Sequence, residues 1–423
     1  MQLSDSLRTL YLDILREELQ PAFGCTEPAA VAYAAALARE TLGALPERLR
    51  VVCSGNIIKN VKSVIVPNAG GLKGLEVAAA AGVIAGNAAQ KLELLRGLTD
   101  EGRARLRDYL TRTPIEVGLS DSPLPFDIRI EAEAGNSRTR VRIAGHHTNV
   151  VLLERDGAVL LERPAEEGDA ADTARAQLTV AGIVAFADGA PLDALRPLLD
   201  RQIACNMAIA EEGLRGNYGA NIGSVLLETD GSLRTRLKAL AAAGSDARMS
   251  GCEMPVIINS GSGNQGITVS VPVVVFARAQ QLPDDRLYRA LALSNLLAIY
   301  QRSGIGCLSA YCGAINAGVA AACGVVYLQG GTLDDIAHTL VNGLAIVSGV
   351  ICDGAKPSCA AKIAVGIDAG LMGHEMYRHN QQFYRGEGIV KHNADATVAA
   401  VARLGRYGMR ETDREILHIM IDE

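Results

Sequence analysis

The chain has 423 residues, 49% of them hydrophobic and 21% charged, a balance that suits two or three folded domains and excludes long disorder. With Trp 0, Phe 5 and Gly 44, the core is expected to consist of small side chains in closely packed helices. A formal charge of −6 argues against nucleic acid or an anionic membrane surface as partner.

Residues 1–43 read as two helices, because Leu7, Leu10, Tyr11, Ile14 and Leu15 repeat at helical spacing and a second apolar run follows Pro28. The first residues lack the basic start, apolar run and cleavage site of a signal peptide, so a cytosolic location is expected. In a reducing compartment the nine cysteines are core residues, catalytic thiols or metal ligands, and not a disulfide framework. Two short β-like runs follow, Leu49-Arg-Val-Val-Cys53 and Val61-Lys-Ser-Val-Ile-Val66, and then Ala- and Leu-rich helices over 71–112. Alternating runs from Ile128, Thr139, Val150 and Val159 are separated by the turn signals Gly135-Asn136 and Asp156-Gly157, the pattern of an antiparallel meander. The acidic, Ala-rich stretch Ala165–Asp172 reads as a linker or as the start of the next helix, and from about residue 173 the chain reads as helix broken by glycine loops. Ser303 to Leu333 carries no charged residue but is poor in Leu, Ile and Phe, which suits a central buried helix better than a membrane span. The expected class is α+β: a mostly helical catalytic body, 1–44 and 166–423, beside a smaller α/β domain over 45–165 that contains an antiparallel sheet.

Three constellations carry chemistry. In Gly24-Cys25-Thr26-Glu27-Pro28, Thr26 suits an N-cap and Glu27 and Pro28 a first turn. Cys25 would then face free N–H groups, a setting that favours thiolate; the alternative is a small residue packed under a helix start. Cys352-Asp-Gly-Ala-Lys-Pro-Ser-Cys359 folds two cysteines toward one point across a Gly/Pro turn, and Cys312 lies forty residues upstream on the uncharged helix. Three thiolates in a glycine-lined site suit a soft metal or an iron–sulfur cluster, and three ligands would leave one iron open as a Lewis acid. Asn259-Ser-Gly-Ser-Gly-Asn-Gln-Gly266 offers successive N–H groups to a carboxylate or phosphate, or is simply a tight turn. Asn68-Ala-Gly-Gly-Leu-Lys-Gly74 opens a helix in the same way, with Lys73 as an added charge. His146 and His147 are adjacent and the other histidines scattered, so a histidine-rich zinc site is not expected. Cys53, Cys205 and Cys323 read as core, while Cys252 and Cys307 stay open.

Together with Ala144-Gly-His-His-Thr-Asn149, Gly216-Asn-Tyr-Gly-Ala-Asn221, Ser245-Asp-Ala-Arg-Met249 and Leu308-Ser-Ala-Tyr-Cys-Gly313, these motifs resemble the L-cysteine desulfidase family, which is related through its helical domain to the iron–sulfur L-serine dehydratases. Nearly the whole chain is covered; Asn149 stands where the dehydratases carry Asp, and Tyr311 where relatives often have an aliphatic residue. The resemblance implies a 4Fe–4S cluster on Cys312, Cys352 and Cys359 and a role for Cys25 as base. It further implies elimination of sulfide from a small amino acid, L-cysteine, to leave pyruvate and ammonia. The substrate carboxylate would rest on Ser262, Gly263, Asn264 and Gln265, helped by Asn68 or Lys73. The rival readings are the same machinery acting on L-serine or another β-substituted amino acid, a pyridoxal-phosphate lyase using Lys356, and a non-catalytic iron–sulfur sensor. A homodimer is expected from the size and glycine content.

Overall fold

The computed structural model describes residues 3–165, 170–306 and 308–421. The strands are β1 (Pro21–Phe23), β2 (Arg48–Cys53), β3 (Ile115–Leu119), β4 (Asp127–Ala134), β5 (Ser137–Ala144), β6 (Val150–Arg155), β7 (Ala158–Glu162) and β8 (Pro255–Ile257). In the first half the α-helices are α1 (Asp5–Glu18), α2 (Thr26–Leu42), α3 (Gly55–Val61), α4 (Leu75–Ala85) and α5 (Asp100–Arg112), with a 3₁₀ segment over Ala88–Gly97. The second half is helical: α6 (Ala170–Arg175), α7 (Val180–Gly189), α8 (Leu192–Arg215), α9 (Ile222–Thr229), α10 (Leu233–Met249), α11 (Gly263–Ala279) and α12 (Asp284–Ser303), then α13 (Gly313–Leu328), α14 (Leu333–Val347), α15 (Ser358–Arg378), α16 (Ala394–Arg403) and α17 (Arg410–Ile421). The class is α+β, as the sequence implies.

The meander forms where the turn residues place it. Gly135 has φ +56° between β4 and β5, and Asp156 and Gly157 have φ +52° and +85° between β6 and β7, the mirror-image turn geometry that matches the strand twist. The sheet order is β3-β2-β4-β5-β6-β7. It is mixed and not wholly antiparallel, because β2 and β3 pair in parallel, joined by a crossover through α3, α4 and α5. The expected strand over Val61–Val66 is absent: its first residue ends α3, and Ile65 makes only an isolated bridge to Lys73. Short apolar runs fit helix and strand equally well, and packing decides between them. Of the stretch read as a linker, residues 166–169 lie outside the described residues, and Ala170 begins α6.

The small residues in the sequence account for the packing. α2, α11, α12 and α13 are buried along most of their length, as expected of helices apolar on all sides at the centre of a protein. α13 packs on α11, α12, α14 and α15, which places the uncharged stretch in the middle of the helical layer. Among the described residues no helix is long and apolar enough to cross a membrane. α1 packs on α6, α8 and α12, whereas α2 packs on α4 and on β4 and β5, and one apolar core runs through both halves. β1 pairs antiparallel with β8, Pro21 opposite Ile257 and Phe23 opposite Pro255. This two-stranded link brings the start of α2 beside the glycine-rich loop that opens α11.

Candidate active site

α2 begins one residue earlier than its capping pattern suggests. Thr26 is its first residue, and Cys25 occupies the N-cap with extended backbone (φ −76°, ψ 134°) and no side-chain cap. Glu27, in the first turn, turns its carboxylate back to that end. Cys25 Sγ donates to Glu27 Oε2 at 3.3 Å, Thr26 Oγ1 donates to the same oxygen at 2.9 Å, and Asn60 Nδ2 donates to Oε1 at 3.1 Å. His147 Nε2 lies 4.0 Å from Glu27 Oε1. Arg248, at the end of α10, donates from Nε to the Gly24 carbonyl and from Nη1 to Asn264 Oδ1, both at 3.1 Å.

The electrostatics of this group correct the thiolate expectation. Burial, and then the neighbouring Glu27 carboxylate, push the Cys25 thiol well above its ordinary value, with Arg248 opposing. Glu27 behaves in the opposite way. Burial raises it, but His147, Arg248 and the hydrogen bonds from Cys25 and Thr26 outweigh that cost and hold it below the usual carboxylate range. The anion at this helix end is therefore the carboxylate, which takes the dipole stabilisation expected for the sulfur. Cys25 is a thiol whose proton already points at a base.

The three other cysteines named from sequence are brought to one region. Tyr311 and Ile351 form an isolated antiparallel bridge, flanked by bonds from Cys312 N to the Val350 carbonyl (3.2 Å) and from Cys352 N to the Ala310 carbonyl (2.6 Å). Side chains alternate across such a pair, so Cys312 and Cys352 leave on the face opposite Tyr311 and Ile351. They are diagonal neighbours, a relation that places side chains about 7 Å apart. Cys359 comes from the first turn of α15. Burial, then the nearby Cys352 and Cys359 thiols, push Cys312 up to about 12. Cys359 also packs with Cys25, Val64, Met249 and Ala355 in one small apolar pocket, which joins the thiol of α2 to the cysteine set. Two buried or half-buried cations hold the loop: Lys59 donates to the Cys352 carbonyl at 3.1 Å and pairs with Asp413, and Lys362 donates to the Ile351 carbonyl at 2.8 Å and pairs with Asp353. Lys356 is also paired with Asp353.

This donor set fits a cluster better than a single ion. Sulfurs on one ion at bonds of about 2.3 Å lie no more than about 4.6 Å apart, closer than diagonal neighbours stand. Correspondingly, among the described residues no group of three or more His, Cys, Asp or Glu side chains is close enough to share one ion. A polynuclear cluster spreads its thiolate ligands over several irons and takes the wider spacing.

The glycine-rich loop lies against both groups. A bridge between Asn259 and Ser262 closes the turn, with Ser260 and Gly261 at φ +49° and +74°, and Ser262 caps α11 by accepting from Gln265 N at 3.5 Å. A Cβ on Gly261 would stand 2.9 Å from His147 Cε1, and one on Gly263 would overlap Arg248. The Gln265 amide lies against Gly313, where a Cβ would be 2.8 Å from Gln265 Cδ, and Gln265 Oε1 is buried without a hydrogen-bond partner. Ser262, Gly263, Asn264 and Gln265 are thus gathered between Arg248 and the residue that follows Cys312.

Asn68 and Lys73 are placed differently. Asn68 follows Pro67, which packs on Gly24, but its amide donates to the Leu95 carbonyl at 2.9 Å while Oδ1 stays buried and unpartnered. Lys73 is exposed on a surface turn. Cys252 is buried, Cys205 half-buried, and Cys53 and Cys323 are buried in the core; Cys307 lies outside the described residues. Sequence reasoning missed Glu27, Asn60, His147 and Arg248 as a group. A signal was present for Arg248: an arginine in the small-residue run Ala239–Met249, where it is only 3% exposed, needs partners to be there at all. A cleft of about 930 Å³ opens on the far side of His147 and Gly261, with Lys91, Arg96, Arg175 and His146 also in its walls.

Cysteine thiols, a buried ionised carboxylate and a glycine-rich loop at converging helix ends are the equipment of a lyase-type site. The model of the family described as serine dehydratase alpha chain matches residues 76–418, and the chain belongs to that family. Its relatives include a UPF0597 protein of Desulfitobacterium hafniense, 51% identical over 425 residues that cover 100% of this chain and 99% of the relative. Another, from Treponema denticola, is 44% identical and covers 100% of both chains. A third, from Lachnoclostridium phytofermentans, is 46% identical over 97% of this chain and 99% of its own.

Proposed function

We propose that this chain is an L-cysteine desulfidase, which eliminates sulfide from L-cysteine and yields pyruvate and ammonia. The observation that carries the reading is that Cys359 packs against the small apolar cluster of Cys25, Val64 and Met249, which supports a thiol–carboxylate base working near a ligand of the proposed cluster. Cys312, Cys352 and Cys359 would hold a 4Fe–4S cluster, whose one iron without a protein thiolate supplies Lewis acidity to the leaving sulfur when bound.

The remaining work falls to the chain. The N–H groups of the Gly261–Gly266 turn and the Arg248 guanidinium, itself aligned by Gly24 and Asn264, bind and orient the substrate carboxylate. Asn60 Oδ1 and Gln265 Oε1, buried without partners, are acceptors suited to the ammonium. Cys25 and Glu27 act as one base: as Sγ takes the Cα proton, its own proton passes to Glu27 Oε2, already its acceptor at 3.3 Å. Packed Val64 and Met249 keep water from the thiol.

The family name favours a second reading, dehydration of L-serine on the same residues. Protein reconstituted anaerobically with iron and sulfide, given L-cysteine and L-serine in parallel, separates the two. Sulfide and pyruvate released from L-cysteine at a higher kcat/KM than pyruvate from L-serine is the expected result. Turnover of serine alone contradicts the desulfidase reading.

A further inference from the structure

A proton taken up by the buried Cys25–Glu27 pair has to leave it before the next cycle, or the carboxylate is spent after one turnover. His147 stands between that carboxylate and the cleft. It sits in the tight turn joining β5 to β6, fixed by bonds from Ala144 N to the Asn149 carbonyl (3.1 Å), from Asn149 N to the His146 carbonyl (3.2 Å) and from Asn149 Nδ2 to the Ala144 carbonyl (2.9 Å). Its ring meets the Phe126 ring edge-on at 4.8 Å between centroids and lies over Gly261, where the missing side chain leaves it room. Nε2 faces Glu27 Oε1 at 4.0 Å and has no hydrogen-bond partner, while the residue also lines the cleft. Distances of this kind commonly tighten when substrate binds.

On the proposed function, we infer that His147 is the proton carrier between Glu27 and the cleft. At each turnover the Glu27 carboxyl, protonated on Oε2 by Cys25, turns about its Cγ–Cδ bond to bring that O–H to His147, and the O–H bond breaks as His147 Nε2–H forms. The imidazolium then turns toward the cleft and releases its Nε2 proton to water there, and the neutral Nδ1–H ring that is left swings back to face Glu27. No electron moves and no further reactant is needed. The charged and titratable groups around the ring are Glu27, Arg248 and His146. Burial lowers the imidazole, Glu27 raises it, and His146 and Arg248 lower it again, leaving it below its ordinary value. The net shift favours the neutral ring, the form that can accept a proton.

Two measurements on the full chain test this. In the first, kcat of His147→Gln falls about a hundredfold and recovers about tenfold with free imidazole, following the unprotonated imidazole as pH rises, with KM little changed. A side chain that only shapes the turn gives no such rescue, so kcat near wild type, or a loss that imidazole does not relieve, overturns the inference. The second needs no turnover: ¹⁵N NMR of His147 shows the Nδ1–H tautomer at pH 7 and a pKa that drops in Glu27→Gln. An Nε2–H tautomer, or no response to Glu27→Gln, overturns it equally. Should wild-type protein turn over no amino acid, the desulfidase reading fails by itself, and the NMR result still decides whether His147 faces Glu27 as an acceptor.

Discussion

Cys25→Ala protein is expected to fold, to take up iron and sulfide as wild type does, and to turn over L-cysteine about 10²–10⁴-fold more slowly. The small effect on folding follows from the site. Cys25 is 2% exposed and packs as a small apolar residue, and it makes no capping bond that alanine would lose. The large effect on rate follows from its hydrogen bond to Glu27: on the proposed function the variant has no sulfur to take the Cα proton while passing its own to that carboxylate. Iron and sulfide content measured beside steady-state turnover checks both halves. Activity within a few-fold of wild type would remove Cys25 from the chemistry, and loss of iron would make it a structural support of the cysteine loop instead.

Gly266→Ala is expected to cost about 3 kcal/mol of stability, the upper range for overpacking a core. A Cβ at this position overlaps the Ile257 carbonyl oxygen, and that oxygen cannot retreat freely, because Asn206 Nδ2 donates to it at 3.1 Å and Asn206 Oδ1 accepts from Ile257 N. Relief requires α11 to move away from β8. That movement carries Asn264 and Gln265 with it, so substrate binding suffers together with stability. Denaturant unfolding with an unchanged m-value and a lower midpoint, with a raised KM, is the expected pair of results. A midpoint equal to wild type would show that the loop has slack that its packing does not suggest.

The parts of the molecule legible in the sequence are those fixed by local chemistry. Gly135, Asp156 and Gly157 supply the positive φ angles of the hairpin turns, and Tyr11, Ile14 and Leu15 line the buried face of α1. Both are short-range effects. β1 and β8 are three residues each and form only because each covers the other's edge, so no window of sequence announces them. The parallel β2–β3 pair is likewise a product of the crossover between them. Val61–Val66 reads as a strand because four of its six residues are β-branched, yet its first residue ends α3 and Ile65 pairs only in an isolated bridge.

The candidate site divides in the same way. Cys25 and the glycine-rich loop could be named from residue type and spacing, but the ionisation of Cys25 could not. A helix N-terminus favours an anion, and sequence does not tell which of two neighbouring groups will carry the charge. Glu27 carries it because Asn60, Arg248 and His147, from three distant segments, converge on its surroundings. Lys73 illustrates the converse: its spacing in a glycine-rich turn suggests a binding loop, and the turn lies at the surface.

The most direct measurement is the iron and acid-labile sulfide bound per chain after anaerobic reconstitution, in wild type and in single serine variants of Cys312, Cys352 and Cys359. About four of each in wild type, with loss in all three variants, is the predicted result. A full complement retained when Cys312 is replaced would contradict the account, since the cysteine that precedes Gly313 would then have no metal to hold.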